Sequence, residues 1–144
     1  MPQRISILLV EDSPSDVRLT QEALKDTKIP HELFVVNDGE QAMMYMKECM
    51  EHGASHLPNM ILLDLNMPKK NGHEVLAEIK REKTLRKIPV FILSTSTGSD
   101  DISSAYDLHA NCYIPKPVDL ETLIQMSERI QAFWLSTAVL APSC

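Results

Sequence analysis

The sequence lacks the features of several common classes of protein. No apolar run in its 144 residues approaches the roughly 20 residues that a membrane-spanning helix needs. The apolar run that begins at Ile5 is too short for the core of a signal peptide, and acids follow it directly. Without a membrane-spanning run or a signal peptide, we expect a cytoplasmic protein with no membrane association. There is also neither a GxxxxGK(S/T) loop nor a GxGxxG turn, so nucleotide binding is not expected.

Basic residues and cysteines are also scarce. The net charge is −6, so the basic surface of a nucleic-acid-binding protein is not expected, and neither is direct binding of DNA. Basic side chains between Lys69 and Lys87 alternate with acids and are interpreted as solvated surface; the alternative is a docking patch for an acidic partner. Cys49, Cys112 and Cys144 form no CxxC pair and no zinc pattern, which favours reduced thiols.

Short apolar runs alternate with amphipathic segments along the whole chain. Strands are predicted at residues 5–10, 33–36, 60–63, 89–93 and 111–114. Helices are predicted from Pro14 (with Ser13 as N-cap), from Glu40, after Gly72, from Ser99 and from Asp119. The methionines of the second helix (Met43, Met44, Met46 and Met50) are interpreted as core residues rather than a metal site or binding face. Five strand–helix alternations predict an α/β fold, with helices on both faces of a doubly wound parallel sheet.

Polar side chains that could share one chemical role follow the first, third, fourth and fifth predicted strands. They are Glu11 and Asp12 after the first strand, Asp64 after the third, Ser94 and Thr95 after the fourth, and Lys116 after the fifth. Because the carboxyl ends of parallel strands meet at one edge of the sheet, we expect these side chains to share one pocket. Three carboxylates in one pocket repel each other unless they bind a cation or a proton. Oxygen ligands favour a hard ion, so the sequence predicts a Mg²⁺ (or Mn²⁺) site.

The three carboxylates of this group have different expected roles. Asp12 and Asp64 are the predicted direct metal ligands, with the main-chain carbonyl of Asn66 as a third ligand and Glu11 acting through a water molecule. Asp64 is the candidate nucleophile, which forms an acyl phosphate while the metal offsets negative charge.

Two further side chains are expected to hold the phosphoryl group. The Lys116 ammonium pairs with phosphate oxygens, and the Ser94 hydroxyl donates to another oxygen. Alone, a lysine between prolines or an acid after a strand is commonly structural. The prediction therefore depends on the joint pattern of acid pair, acid, hydroxyl and lysine on strands one, three, four and five.

Four short motifs surround these residues. They are LLVED at 8–12, LLDLNMP at 62–68 followed by Gly72, ILS at 92–94 and YIPKP at 113–117. Together they resemble the motifs of response-regulator receiver domains of two-component systems, over nearly the whole chain. The resemblance implies a flavodoxin-like (βα)5 fold with strand order 2-1-3-4-5. It also implies that Asp64 takes a phosphoryl group from a histidine kinase and later loses it by self-dephosphorylation. It makes Ser94 the switch hydroxyl and Tyr113 the switch aromatic residue.

Other segments resemble one group within this family. The loop at residues 52–58, the Asn111-Cys112-Tyr113 segment and the late aromatic residues are similar to the stand-alone regulators that partner bacterial phytochromes. This resemblance implies a phytochrome histidine kinase as the partner. We expect residues 1–144 to form a single receiver domain, with a C-terminal extension at about 136–144, no output domain, and signalling by protein contact.

Phe133, Trp134 and Leu135 are consecutive, so they cannot all share one buried helical face. We expect a homodimer through the fourth helix, fifth strand and fifth helix, with this aromatic end contributing. The alternative is that the tail to Cys144 folds back and covers these side chains.

Two other functions compete with a receiver. A haloacid dehalogenase-like phosphatase also uses an aspartyl nucleophile and magnesium. It needs a second Asp two residues later, where this chain has Asn66, and its nucleophile follows the first strand. A degenerate receiver that only binds partners is the other alternative, but all the residues for the chemistry are present. We therefore expect a signalling protein rather than an enzyme.

Overall fold

Strands and helices alternate along the described part of the chain, as predicted. The computed structural model describes residues 5–25, 31–53, 57–65, 72–94, 99–108, 110 and 112–115. Its strands are β1 (Ile5–Val10), β2 (His31–Val36), β3 (Met60–Asp64), β4 (Val90–Ser94) and β5 (Cys112–Pro115). Its helices are α1 (Pro14–Lys25), α2 (Gly39–Glu51), α3 (Gly72–Arg81) and α4 (Ser99–Asp107). The helix predicted from Asp119 lies outside these ranges. No helix within them is both long enough and apolar enough to cross a membrane.

All five strands are parallel and lie in one sheet in the order β2-β1-β3-β4-β5, which confirms the predicted order. Val10 at the end of β1 pairs with Val36 of β2 on one side and with Leu63 of β3 on the other. Across the sheet, β2 lies on one side of β1, whereas β3, β4 and β5 follow one another on the other side of β1. The strand order therefore reverses between β1 and β3, and in such sheets ligands bind beside this reversal at the carboxyl ends.

The sheet is buried on both faces, as the alternation along β1 demonstrates. Leu8 and Val10 belong to the larger core, to which α2, α3 and α4 contribute. Ile7 and Leu9 belong to the core on the other face, where Val17 of α1 packs. Because burying one such side chain contributes about 1.5–3 kcal/mol, packing on both faces holds the strand that leads to Glu11.

Two helices begin with side-chain caps at the carboxyl edge of the sheet. The Ser13 hydroxyl accepts a hydrogen bond from the N–H of Asp16 (3.4 Å), and Pro14 is the first residue of α1, as predicted. The Asp38 carboxylate accepts a hydrogen bond from the N–H of Gln41 (2.8 Å) and caps α2. Each cap satisfies a main-chain donor that the helix leaves unpaired, and so fixes where the helix starts.

The methionines of α2 do not all fill the core. Met46 is fully buried, and Met43 and Met50 pack against the larger core. Met44 is 71% exposed, so its interpretation as a core residue is wrong. Successive helical residues point about 100° apart, so Met43 and Met44 cannot both face the sheet.

Candidate functional site

Three carboxylates converge at the carboxyl edge of the sheet, where β1 and β3 lie side by side. One oxygen atom from each of Glu11, Asp12 and Asp64 lies within 4.8 Å of the oxygen atoms of the other two. Glu11 is 1% exposed and Asp64 is 6% exposed, whereas Asp12 is exposed. The fold thus brings together acids that are more than 50 positions apart in the sequence.

Glu11 is held through both its main chain and its side chain. Its N–H donates to the carbonyl oxygen of Val36 at the end of β2, 3.0 Å away. Its Oε2 accepts a hydrogen bond from the N–H of Ser13 (3.4 Å), the residue that caps α1. Asp12 lies between these two anchored residues and remains exposed. Of the three carboxylates, Asp12 is therefore the most accessible to a ligand that arrives from solvent.

The last residue of β4, Ser94, lies at the strand end next to β3. Its side chain is fully buried. Because Asp64 pairs with Leu93, the candidate nucleophile and the candidate hydroxyl occupy neighbouring strand ends. Ser94 pairs in turn with Pro115 of β5, and Lys116 is the next residue in the sequence.

Three residues with predicted roles are described only in part or not at all by the structure. Asn66 and Lys116 lie outside them, so their roles as carbonyl ligand and phosphate partner stay predictions. Tyr113 lies in β5, where its backbone pairs with Ile92 of β4. Only its place in the strand is described, so its role as the switch aromatic residue also stays a prediction.

Sequence reasoning missed the contact between Gly72 and the strand end that carries Asp64. The sequence predicts that the helix begins after Gly72, but Gly72 is the buried first residue of α3, and its N–H donates to the carbonyl oxygen of Leu65 (3.0 Å). A Cβ atom here would come under 3.0 Å from the carbonyl oxygen of Asp64 and from Cα of Leu65. Two sequence signals point to Gly72: it belongs to the motif at 62–72, and it lies close to the start of a predicted helix although glycine is a poor helix former.

The three carboxylates fit a divalent metal site. With their oxygens within 4.8 Å of each other and two of the residues buried, their mutual repulsion is only partly screened by water. A cation held between them offsets that repulsion. Donor sets made only of oxygen suit hard ions such as Mg²⁺ and Mn²⁺.

Comparison with known proteins agrees with this architecture. The family model for the response regulator receiver domain matches residues 7–128. The response regulator Rcp1 of Synechocystis sp. is 51% identical over 134 residues, which cover 93% of this chain and 91% of Rcp1.

Two solved structures extend the likeness to three dimensions. The crystal structure of the phosphorylated cyanobacterial phytochrome response regulator RcpA has a TM-score of 0.88 and 51% identity, and the match covers 97% of this chain and 100% of RcpA. The Mn²⁺-bound form of Rcp1 has a TM-score of 0.85 and 49% identity, with coverage of 96% and 99%.

The sheet order and the carboxylates at its reversal point define a flavodoxin-like domain with an acidic cluster that fits a divalent cation. The chain belongs to the response regulator receiver domain family. It is the receiver of a two-component system, a signalling switch that works by phosphorylation. Membership of this family leaves the phosphatase alternative without support.

Proposed function

We propose that Asp64 accepts the phosphoryl group. Asp12, Asp64 and the main-chain carbonyl of Asn66 bind the divalent cation directly, and Glu11 acts on it through a water molecule. The observation that carries this proposal is the position of Asp64. It ends the central strand β3, its side chain is 6% exposed, and a carboxylate oxygen lies within 4.8 Å of oxygens from Glu11 and Asp12.

In the proposed transfer, an oxygen of the Asp64 carboxylate attacks the phosphorus atom of a phosphohistidine on the donor kinase. A P–O bond forms while the P–N bond breaks, and the leaving imidazole keeps the electron pair and takes a proton from solvent. The Ser94 hydroxyl donates a hydrogen bond to one phosphoryl oxygen, and the Lys116 ammonium pairs with another. The cation, when bound, supplies positive charge to the phosphoryl oxygens. Water later hydrolyses the acyl phosphate on Asp64. The protein therefore acts only on its own aspartyl group and does not turn over a separate small-molecule substrate.

We propose Mg²⁺ or Mn²⁺ as the cation. Three carboxylates give an all-oxygen donor set, and Mg²⁺ requires few protein carboxylates because it keeps several of its water ligands. A crystal structure of Rcp1 contains bound Mn²⁺, and the Rcp1 chain in that structure is 49% identical to this chain.

The proposed switch couples Ser94 to Tyr113. The Ser94 side chain is fully buried at the end of β4, and Tyr113 lies on the neighbouring strand β5. A phosphoryl group on Asp64 attracts the Ser94 hydroxyl, and the space that this movement opens favours an inward rotamer of Tyr113. The response is a population shift between two packings, driven by contacts made only to the phosphoryl group.

The proposed partner is a sensor histidine kinase of the bacterial phytochrome type. The support is the likeness to RcpA, which is a cyanobacterial phytochrome response regulator and is 51% identical. Residues 1–144 then act as one receiver domain that signals by protein contact and not by direct DNA binding. A cytoplasmic location remains our expectation from the sequence.

We further propose a homodimer through α4, β5 and the fifth helix predicted from Asp119. Tyr106 of α4 supports it, because this large side chain is 48% exposed. Phe133, Trp134 and Leu135 lie outside the described residues. Sedimentation with and without phosphorylation tests the dimer. A monomer under both conditions, or a Trp134→Ala variant with unchanged dimer affinity, contradicts it.

The acceptor assignment is tested with an Asp64→Asn variant and acetyl phosphate or a phosphorylated histidine kinase as donor. We expect a folded protein that takes up no phosphoryl group. Asp107→Asn, at the exposed end of α4, is the matched control and should be labelled like the wild type. Normal labelling of Asp64→Asn overturns the assignment, and labelling that EDTA leaves unchanged overturns the metal's role.

A further inference from the structure

Gly72 brings the first turn of α3 directly against the main chain of residues 64 and 65. A Cβ atom at Gly72 would lie under 3.0 Å from the carbonyl oxygen of Asp64 and from Cα of Leu65. Both are backbone atoms, which cannot rotate away as the end of a flexible side chain can. Any side chain at position 72 must therefore push the start of α3 and the end of β3 apart.

If the end of β3 is displaced in this way, Asp64 moves with it, because Asp64 is the last residue of the strand. β3 is the central strand and is paired with β1 on one side and β4 on the other. Glu11 and Asp12 follow β1, so a shift of Asp64 changes its distance to both of them. These three carboxylates form the cluster whose oxygens lie within 4.8 Å of each other.

We infer that Gly72 is a positioning residue for phosphoryl transfer: because it has no side chain, α3 begins against β3 and sets the place of Asp64 relative to Glu11 and Asp12. The hydrogen bond from its N–H to the carbonyl oxygen of Leu65 (3.0 Å) holds this contact closed. The inference rests on the proposed role of Asp64 as acceptor and metal ligand. Gly72 acts only through Asp64.

A purely structural role for Gly72 makes a different prediction. If the glycine only allows α3 to pack, its replacement lowers stability, but each folded molecule still binds metal and accepts phosphoryl normally. If it positions Asp64, the folded variant itself binds metal more weakly and reacts more slowly. Two measurements on the folded protein separate these roles, namely the Kd for Mn²⁺ and the phosphorylation rate with acetyl phosphate at saturating Mn²⁺.

The test variant is Gly72→Ala in the full chain. We expect Mn²⁺ to bind about 10- to 100-fold more weakly, as when a residue that orients a metal ligand is changed. The phosphorylation rate at saturating Mn²⁺ should fall about 100-fold, the usual cost of misplacing a reacting group by about 1 Å.

Two control variants lower stability without pressing on Asp64. Leu76→Ala leaves a cavity in the core under the same helix, where Leu76 is fully buried. Gly53→Ala places a side chain on a backbone with φ +106°, which strains it, but a Cβ there meets no atom within 4 Å. Both should lower the urea midpoint while the Kd for Mn²⁺ and the phosphorylation rate stay at wild-type values.

Wild-type Mn²⁺ affinity and rate in folded Gly72→Ala overturn the inference. If this variant is unfolded in buffer, the comparison is repeated in trimethylamine N-oxide, which favours burial. Wild-type behaviour there, or a chain that remains unfolded there, equally counts against the positioning role. Failure of the wild type to bind Mn²⁺ or to accept phosphoryl would instead contradict the proposed function.

Discussion

The Nζ atom of Lys80, near the end of α3, donates a hydrogen bond to the main-chain carbonyl oxygen of Ile88, 3.1 Å away. The same ammonium donates to the carbonyl oxygen of Arg86 (3.0 Å), and burial lowers the pKa of Lys80. These bonds tie α3 to the turn that leads into β4. Lys80 is therefore half-buried and only partly solvated, whereas Arg86 and Lys87 are exposed as the solvated-surface interpretation expects.

Lys80→Met should lower the free energy of unfolding by about 1–3 kcal/mol, because two carbonyl oxygens lose a charged donor. Methionine keeps most of the apolar stem, so the change isolates the ammonium. Urea unfolding measures the loss. Lys83→Met, at an exposed position in the same turn, should stay within about 0.5 kcal/mol of the wild type. Equal losses in the two variants would show that the hydrogen bonds to Arg86 and Ile88 contribute nothing.

Met46→Ala and Met44→Ala compare a buried and an exposed position on the same helix. Met46 is fully buried and Met44 is 71% exposed. Met46→Ala should cost about 2–5 kcal/mol, because it removes buried methylene groups and leaves a cavity. Met44→Ala should stay within about 0.5 kcal/mol of the wild type. Urea unfolding distinguishes the two, and a large loss for Met44→Ala would contradict its exposure.

Asp12→Ala should weaken Mn²⁺ binding by at least about tenfold, because it removes the most accessible carboxylate of the cluster. Without metal the variant should be as stable as the wild type or more stable, since two carboxylates repel less than three. Calorimetric titration with Mn²⁺ gives the affinity, and urea unfolding in EDTA gives the stability. Unchanged affinity would remove Asp12 from the metal site.

Ser94→Ala tests the proposed switch separately from phosphorylation. The variant should still take up phosphoryl on Asp64, but amide NMR shifts at α4 and β5 should respond weakly to it. Ser94→Thr retains a hydroxyl at this buried position and should keep most of the response. A full response in Ser94→Ala would exclude this route of coupling.

Tyr45→Phe should change the alkaline stability of the protein. Burial, with a further contribution from Cys49, raises the pKa of Tyr45 from 10.0 to about 12. The unfolded chain therefore loses this proton first as the pH rises. The stability that Tyr45 contributes is fully present below pH 10.0 and is lost as the pH rises through about 12. Unfolding measured across that window should show a shallower decline in Tyr45→Phe, and identical slopes would contradict the shift.

Local patterns in the sequence predicted most of the fold. The six apolar or small residues that precede Glu11 read as a buried strand, and Ser13 followed by Pro14 marked the start of α1. β2 begins at His31, two residues before its predicted start, because backbone pairing with Ile5 extends past the apolar residues. The topology rules for parallel sheets then placed Asp64 and Ser94 at one edge.

Amino-acid order alone thus determined which elements form and which polar residues follow them, because these depend on periodicity, caps and chain connectivity. The strand order 2-1-3-4-5 is what the resemblance to receiver domains implies. Tertiary packing alone decided that Met46 is buried while Met44 is exposed. The same packing decided that the Lys80 ammonium donates to the carbonyl oxygen of Ile88, and that the main chain at Gly72 lies against the carbonyl oxygen of Asp64. It also decided how close the three carboxylates come. Each of these outcomes depends on how one element lies against another, and side-chain volume and orientation at the contact set that arrangement.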